Sequence, residues 1–165
     1  MMTHRPSSPS LQGGMTLLEV LITLLVFSIG LMGSASMQVT GLRLNQSAHL
    51  RTLAVIQAYD LADRIRANQA GVAAGAYDSI STTPANPGCA TNGCSPEQIA
   101  QLDIHEWNTT NARDLPLGGG SVERQGGDVF RIRVMWKDER NDGHGSDCVD
   151  EDLGALSCFT LEFQP

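Results

Sequence analysis

Residues 14–42, GMTLLEVLITLLVFSIGLMGSASMQVTGL, decide how the rest of the chain is read. From Val20 to Leu42 run 23 residues without a charge. As a helix that run is about 35 Å long, enough for a hydrocarbon core of about 30 Å. Leu24, Leu25, Val26, Phe27 and Ile29 make such a helix apolar on every side, and a helix without a polar face belongs in lipid or inside a bundle. One residue breaks the pattern. Glu19 sits fifth from Met15, where a carboxylate at membrane depth costs about 2.5–3.5 kcal/mol or more.

The residues before this run explain the acid. Residues 1–14, MMTHRPSSPSLQGG, are polar and rich in Ser and Pro, with His4 and Arg5. They have no helical period and no core-forming residues, and read as a processed leader. A cut after Gly14 gives Met15 a new α-amine one helical turn from Glu19. Helical side chains lean toward the N-terminus, so the carboxylate can approach that amine or the same group on a neighbour. The helix dipole also favours an anion in the first turn. In the uncut chain the nearest upstream cation is Arg5. Cleavage therefore creates the partner that makes Glu19 tolerable, and glycine at position 14 lets a peptidase approach the backbone closely. The rival reading is an ordinary secretory signal cut at Ser34-Ala35-Ser36, with a secreted domain starting near Met37. A glutamate in the apolar region argues against it.

Downstream, Arg43 opens RLNQSAHLRTLAVIQAYDLADRIRANQAG (43–71). Leu50, Ala54, Ala58, Leu61 and Ile65 recur at three- and four-residue spacing and define one apolar face. Asp60 and Arg64 form an acid-before-base pair four apart, and Gly71 suits a C-cap. No proline interrupts residues 15–71, which predicts one helix of about 80 Å or slightly more. The segments divide as leader 1–14, transmembrane and polymerisation helix 15–41, amphipathic half 42–71 and head 72–165. Residues 71–96 are rich in Gly, Pro, Ser, Thr and Asn and read as a loop. Ser95, Pro96 and Gln98 then spell a capping box for a short helix from Pro96 to about Asn108. Strand-like residues 121–125, a Gly126-Gly127 turn and residues 128–137 predict a hairpin. Phe130, Ile132, Val134 and Trp136 point inward, with Arg131, Arg133 and Lys137 outward. A last strand, 157–163, puts Phe159, Leu161 and Phe163 inward. The fold class is α+β: a long helix with a three- or four-stranded antiparallel sheet on its C-terminal half.

Composition limits the chemistry. The chain has 11 basic against 18 acidic residues, a net charge of −7; loss of Arg5 with the leader makes it −8. That balance disfavours nucleic acid and bulk attraction to anionic headgroups. Aromatics are 5% of the sequence, which argues against a large buried aromatic core. All four cysteines, Cys89, Cys94, Cys148 and Cys158, lie on one side of the apolar run, as two disulfides in an oxidising compartment would require. Their spacing is a poor match to zinc knuckles. His4, His49, His105 and His144 form no paired ligand spacing. Asp103, His105 and Glu106 could make an acid–base cluster, but on a capped helix they read as a solvated face. Residues 138–152, DERNDGHGSDCVDED, hold seven carboxylates without a calcium-loop register. They read as an acidic loop that balances the Arg131, Arg133 and Lys137 stripe. The sequence calls for no catalytic residues, no cofactor and no metal.

At this point a family resemblance enters. QGGMTLLEVLITLLVFSIGL (12–31) resembles the type IV prepilin signature: a short leader, glycine at the cut, an apolar segment and glutamate fifth in the mature chain. The resemblance implies a pilin-like fold, cleavage after Gly14 by a membrane prepilin peptidase, N-methylation of Met15, and an assembly role for Glu19. It implies a single-pass bacterial inner-membrane protein with a cytoplasmic N-terminus and a periplasmic head, later built into a pilus. Its partners would be other major and minor pilins through the N-terminal helix, the peptidase, the inner-membrane assembly machinery and membrane lipid. Two departures stand out: the first mature residue is Met where Phe is usual, and Ser36 stands where many major pilins carry a kinking proline. Further on, residues 58–71, 89–108, 115–122 and 130–140 resemble the minor-pilin family of the type IV pilus modification protein PilV. A minor pseudopilin of type II secretion shares the leader, and a tip-located adhesin or DNA-binding pilin is a further alternative. Four cysteines allow three connectivities, of which sequential pairing is the one expected.

Overall fold

The computed structural model describes residues 14–89, 91–138, 148–150 and 154–165. The leader, apart from Gly14, and most of the acidic loop lie outside these residues. Helix α1 is Leu17–Ala67, α2 is Gln69–Ala73 and α3 is Pro96–Asp114. The strands are β1 Ser79–Ile80, β2 Gly119–Gln125, β3 Val129–Trp136, β4 Cys148–Asp150 and β5 Gly154–Phe163. The chain divides after Leu42 into an N-terminal unit and the unit Arg43–Pro165.

In the Arg43–Pro165 unit the strands run β1-β2-β3-β5-β4, every pair antiparallel. The sheet has two more strands than the three clear sequence signals. β1 and β4 are two and three residues long, too short to carry a period. The alternation expected for β3 holds: Phe130, Ile132, Val134 and Trp136 are all buried. They share one core with Val122 and Phe163 of the sheet, with Leu50, Ala54, Ala58, Leu61 and Ile65 of α1, and with Ala100, Ile104 and Trp107 of α3. Alanines at 54, 58 and 62 are fully buried, and their small side chains let larger neighbours come close to the helix. The low aromatic content misled in one respect. Of two Trp, two Tyr and four Phe, Tyr77, Trp107, Phe130, Trp136 and Phe163 are buried. The few aromatics are concentrated where their large areas count most.

α1 stops at Ala67 and does not reach Gly71. Asn68 leaves helical dihedrals (φ −111°, ψ 62°), and its Oδ1 accepts from Gly71 N at 3.1 Å to start α2. Its Nδ2 donates to Tyr77 Oη at 3.1 Å and to Pro96 O at 2.7 Å. A Cβ on Gly71 would lie 2.4 Å from that Nδ2. Glycine is therefore needed there for close approach, and not as a helix stop. The Ser95–Gln98 capping box forms as expected. α3 nevertheless continues past Asn108 to Asp114. Thr109, Thr110 and Asn111 are weak helix formers, but Asn108 and Asn111 are buried, so tertiary packing overrides propensity. The helix ends where Leu115 turns extended before Pro116. In the hairpin Gln125 pairs with Val129, so the turn has three residues: Gly126, Gly127 and Asp128. Both Gly127 and Asp128 take positive φ, 79° and 63°, as a three-residue loop with a left-handed position demands.

Candidate functional site

Gly14 and Met15 lie just before α1, and Glu19 lies in its first turn. Thr16 sits just before the helix. Its carbonyl accepts from Glu19 N at 3.1 Å and Val20 N at 3.3 Å, and its hydroxyl accepts from Glu19 N at 3.3 Å. Thr16 is thus an N-cap and Glu19 the third helical residue, at the positive end of the helix dipole. The reading from sequence missed Thr16, although Thr-x-x-Glu before an apolar run is the signature of a capping box. Glu19 and Met15 are both exposed, Met15 at 77%. Among the described residues, the Glu19 carboxylate has no hydrogen bond or ion pair. The arrangement leaves an anion at a helix start with its side chain uncommitted.

From Glu19 to Leu42 no residue of α1 is buried, and this helix is long and apolar enough to cross a membrane. Of the five hydroxyls that interrupt the apolar surface, four are bonded to their own helix. Thr23 Oγ1 donates to Val20 O at 2.9 Å, Ser28 Oγ to Leu24 O at 2.7 Å, Ser34 Oγ to Leu31 O at 3.0 Å and Thr40 Oγ1 to Ser36 O at 3.1 Å. In lipid no water is present to satisfy them, so this internal bonding is what the surroundings require.

The other sequence candidates fall into place in the Arg43–Pro165 unit. Cys89 and Cys94 form a disulfide with Cα atoms 5.1 Å apart. Cys158 is also disulfide-bonded, while the side chain of Cys148 lies outside the described residues. Calcium binding by the acidic loop falls outside them as well. Among the described residues no group of three His, Cys, Asp or Glu is placed to hold a metal.

The Arg131 and Arg133 stripe is neutralised within the sheet, by Glu162 at 2.8 Å and Glu123 at 3.2 Å. The acidic loop is not needed to balance these two.

Asp103, His105 and Glu106 do not form a plain solvated face. Arg64 ties Asp60, Asp103 and Glu106 together at 2.9, 3.4 and 2.9 Å, and His105 Nδ1 meets Pro84 O at 2.9 Å. Burial alone would lower the Arg64 guanidinium, but its bond to Glu106 and the charges of Asp60 and Asp103 hold it above the ordinary arginine value. These contacts fasten α3 to α1 and to the loop.

Tyr77 completes this fastening by donating to Asp103 Oδ2 at 2.7 Å. Burial first, and then that hydrogen bond, push its phenol above the ordinary tyrosine value, with Asn68 pulling the other way. An unfolded phenol ionises near pH 10 and the folded one only higher. Its stabilisation is therefore complete below about pH 10 and is lost as pH rises beyond it. Thermal melts of the full chain in detergent are expected to hold level to about pH 10 and then fall. Tyr77→Phe should be less stable at neutral pH yet flatter above pH 10; an equally steep alkaline fall would contradict the assignment.

Comparison with known families adds two matches. Residues 9–35 match the prokaryotic N-terminal methylation motif. Residues 36–105 match the Tt1218-like family, described as type IV pilin Tt1218. No curated protein and no solved structure matches the chain significantly.

Proposed function

We propose that this chain, a type IV pilin by its methylation motif and its pilin-family segment, is a minor subunit of the PilV type. The α+β fold, a long apolar helix with a small antiparallel sheet, is that of a pilin. In this reading the prepilin peptidase cuts after Gly14 and Met15 becomes the N-methylated first residue. Residues 15–41 anchor the subunit in the inner membrane, with the head in the periplasm, before it enters the pilus and supports its initiation. Its work is to pack and to position, without catalysis and without a cofactor. Apolar helices associate with those of other major and minor pilins, and Glu19 meets a neighbour's terminal amine, which fixes axial register as a buried polar group can.

One observation carries this reading: an uncommitted carboxylate at the third position of a capped helix whose first half is apolar, four residues after Met15. The PilV assignment is supported by the resemblance of residues 58–71, 89–108, 115–122 and 130–140. Intact-mass measurement of the mature N-terminus tests the class. N-methylated Met15 is the expected result, and unmodified Met37 would replace the pilin reading with that of an ordinary secreted domain. Gene deletion then separates the pilin from a type II pseudopilin: loss of pili is expected, with exoprotein secretion intact. The DNA-binding alternative gains little support, because Arg131 and Arg133 already hold carboxylate partners.

A further inference from the structure

Arg43 is the first charged residue after the apolar run, and it lines a cavity of about 410 Å³ in the Arg43–Pro165 unit. Gln46, Ser47 and Leu50 line it from the same helix, and Lys137 and Asp138 from the end of β3. The charges there are unusual for this protein. Arg64, Arg66, Arg113, Arg124, Arg131 and Arg133 each hold a carboxylate. Among the described residues the basic side chains with no such partner are Arg43, Arg51 and Lys137. Two of these three line one cavity, and one of them, Arg43, is the residue at which the chain leaves its apolar run. Asp138 shares the lining, and its Oδ2 accepts from Ser47 Oγ at 2.5 Å. The lining thus offers a guanidinium fork, an ammonium and the Gln46 amide beside the apolar surface of Leu50.

We propose that this cavity holds the phosphodiester of a membrane phospholipid headgroup. The inference rests on the reading of residues 20–42 as membrane-spanning. The residue that follows such a span reaches the headgroup level, and long basic side chains extend to meet phosphate there. Guanidinium binds two phosphate oxygens at once, and lysine adds a point charge. A mature chain of net charge −8 is otherwise repelled by an anionic surface within a Debye length of about 8 Å, so a localised pair of cations is what lets it rest against phosphate. Lipid is the occupant argued for over a neighbouring subunit's carboxylate. An inserted monomer meets headgroups at this depth at once, whereas a neighbour arrives only on assembly.

The test uses the full chain, purified in detergent, stripped of lipid and titrated under native mass spectrometry. The probes are phosphatidylglycerol, a diacylglycerol with the same acyl chains, and inorganic phosphate. One phosphatidylglycerol is expected to bind about tenfold tighter than diacylglycerol, with inorganic phosphate a poor competitor. The double variant Arg43→Gln/Lys137→Gln should lose that preference, and Arg51→Gln should keep it, both with unchanged melting midpoints. Equal retention of diacylglycerol, or full preference in the double variant, overturns the site. Competition by inorganic phosphate at equal concentration makes it a free-anion site and overturns the lipid assignment. Cross-linking of Lys137 to a second copy's carboxylate in lipid-free micelles, abolished by neither lipid, would assign the cavity to a subunit contact instead. A chain that stays out of micelles altogether overturns the span reading along with the site, whereas micellar protein without phosphate preference overturns the site alone.

Discussion

Glu19→Ala subunits should insert in the membrane as well as wild type, or better, and be depleted from filaments by roughly two orders of magnitude. Among the described residues the Glu19 carboxylate has no partner, and holding it at membrane depth costs about 2.5–3.5 kcal/mol. In the proposed reading, assembly relieves that cost when a neighbour's amine arrives. Removing the acid removes the relief, and at about 1.4 kcal/mol per tenfold the preference for the filament falls accordingly. Thr16 makes the prediction sharper, because its hydroxyl and carbonyl hold the first turn whether or not residue 19 is acidic. The helix start should therefore survive the substitution. Quantitative blotting of sheared pili against membrane fractions reads the ratio directly. Equal ratios for wild type and variant would show that Glu19 has no part in assembly.

The largest stability loss is expected at Trp107. Its ring is fully buried in α3, its Nε1 donates to Gln57 O of α1 at 2.9 Å, and Gly120 of β2 faces it so closely that a Cβ would lie 2.1 Å from the ring. Three elements thus meet on one side chain. Trp107→Ala should cost about 3–5 kcal/mol through lost burial and the cavity left behind. Gly120→Ala alone should also destabilise, by overpacking against the ring. In the Trp107→Ala background the same glycine substitution should cost clearly less, since the atoms it strikes are gone. Denaturant unfolding of the four proteins measures this coupling. Strict additivity would mean that the ring and Gly120 are not packed as described.

Much of the architecture was legible because its signals repeat. The apolar face Leu50, Ala54, Ala58, Leu61, Ile65 recurs over about four turns, and β3 alternates without error from Phe130 to Trp136. The mistakes occur where a single contact decides. Nothing local in Asn68-Gln69-Ala70-Gly71 announces that Asn68 will turn to meet Tyr77 and Pro96 and so end α1. α3 outruns its propensity because Asn108 and Asn111 are buried, a fact made elsewhere in the fold. The three-residue hairpin differs from the expected two because Asp128 tolerates positive φ as Gly127 does. Charge and depth alone single out Glu19, whereas Gly14 and Met15 stand out through the prepilin-like signature around them. Thr16 could have been picked out by its spacing to Glu19. The role of Asp103 could not, since Arg64 and Tyr77 reach it from 39 and 26 residues away.

The four hydroxyls tied to their own backbone along the apolar helix have one more consequence. Each is already occupied, which leaves Ser36 and Gln38 as the remaining polar side chains along the flank. Moving it sideways from fatty chains to the helices of its neighbours exchanges one greasy medium for another and leaves those four bonds intact. Those hydroxyls offer nothing by which one sliding position is distinguished from the next, and the acid at the tip is the one charge from Met15 to Leu42 that can stop the slide.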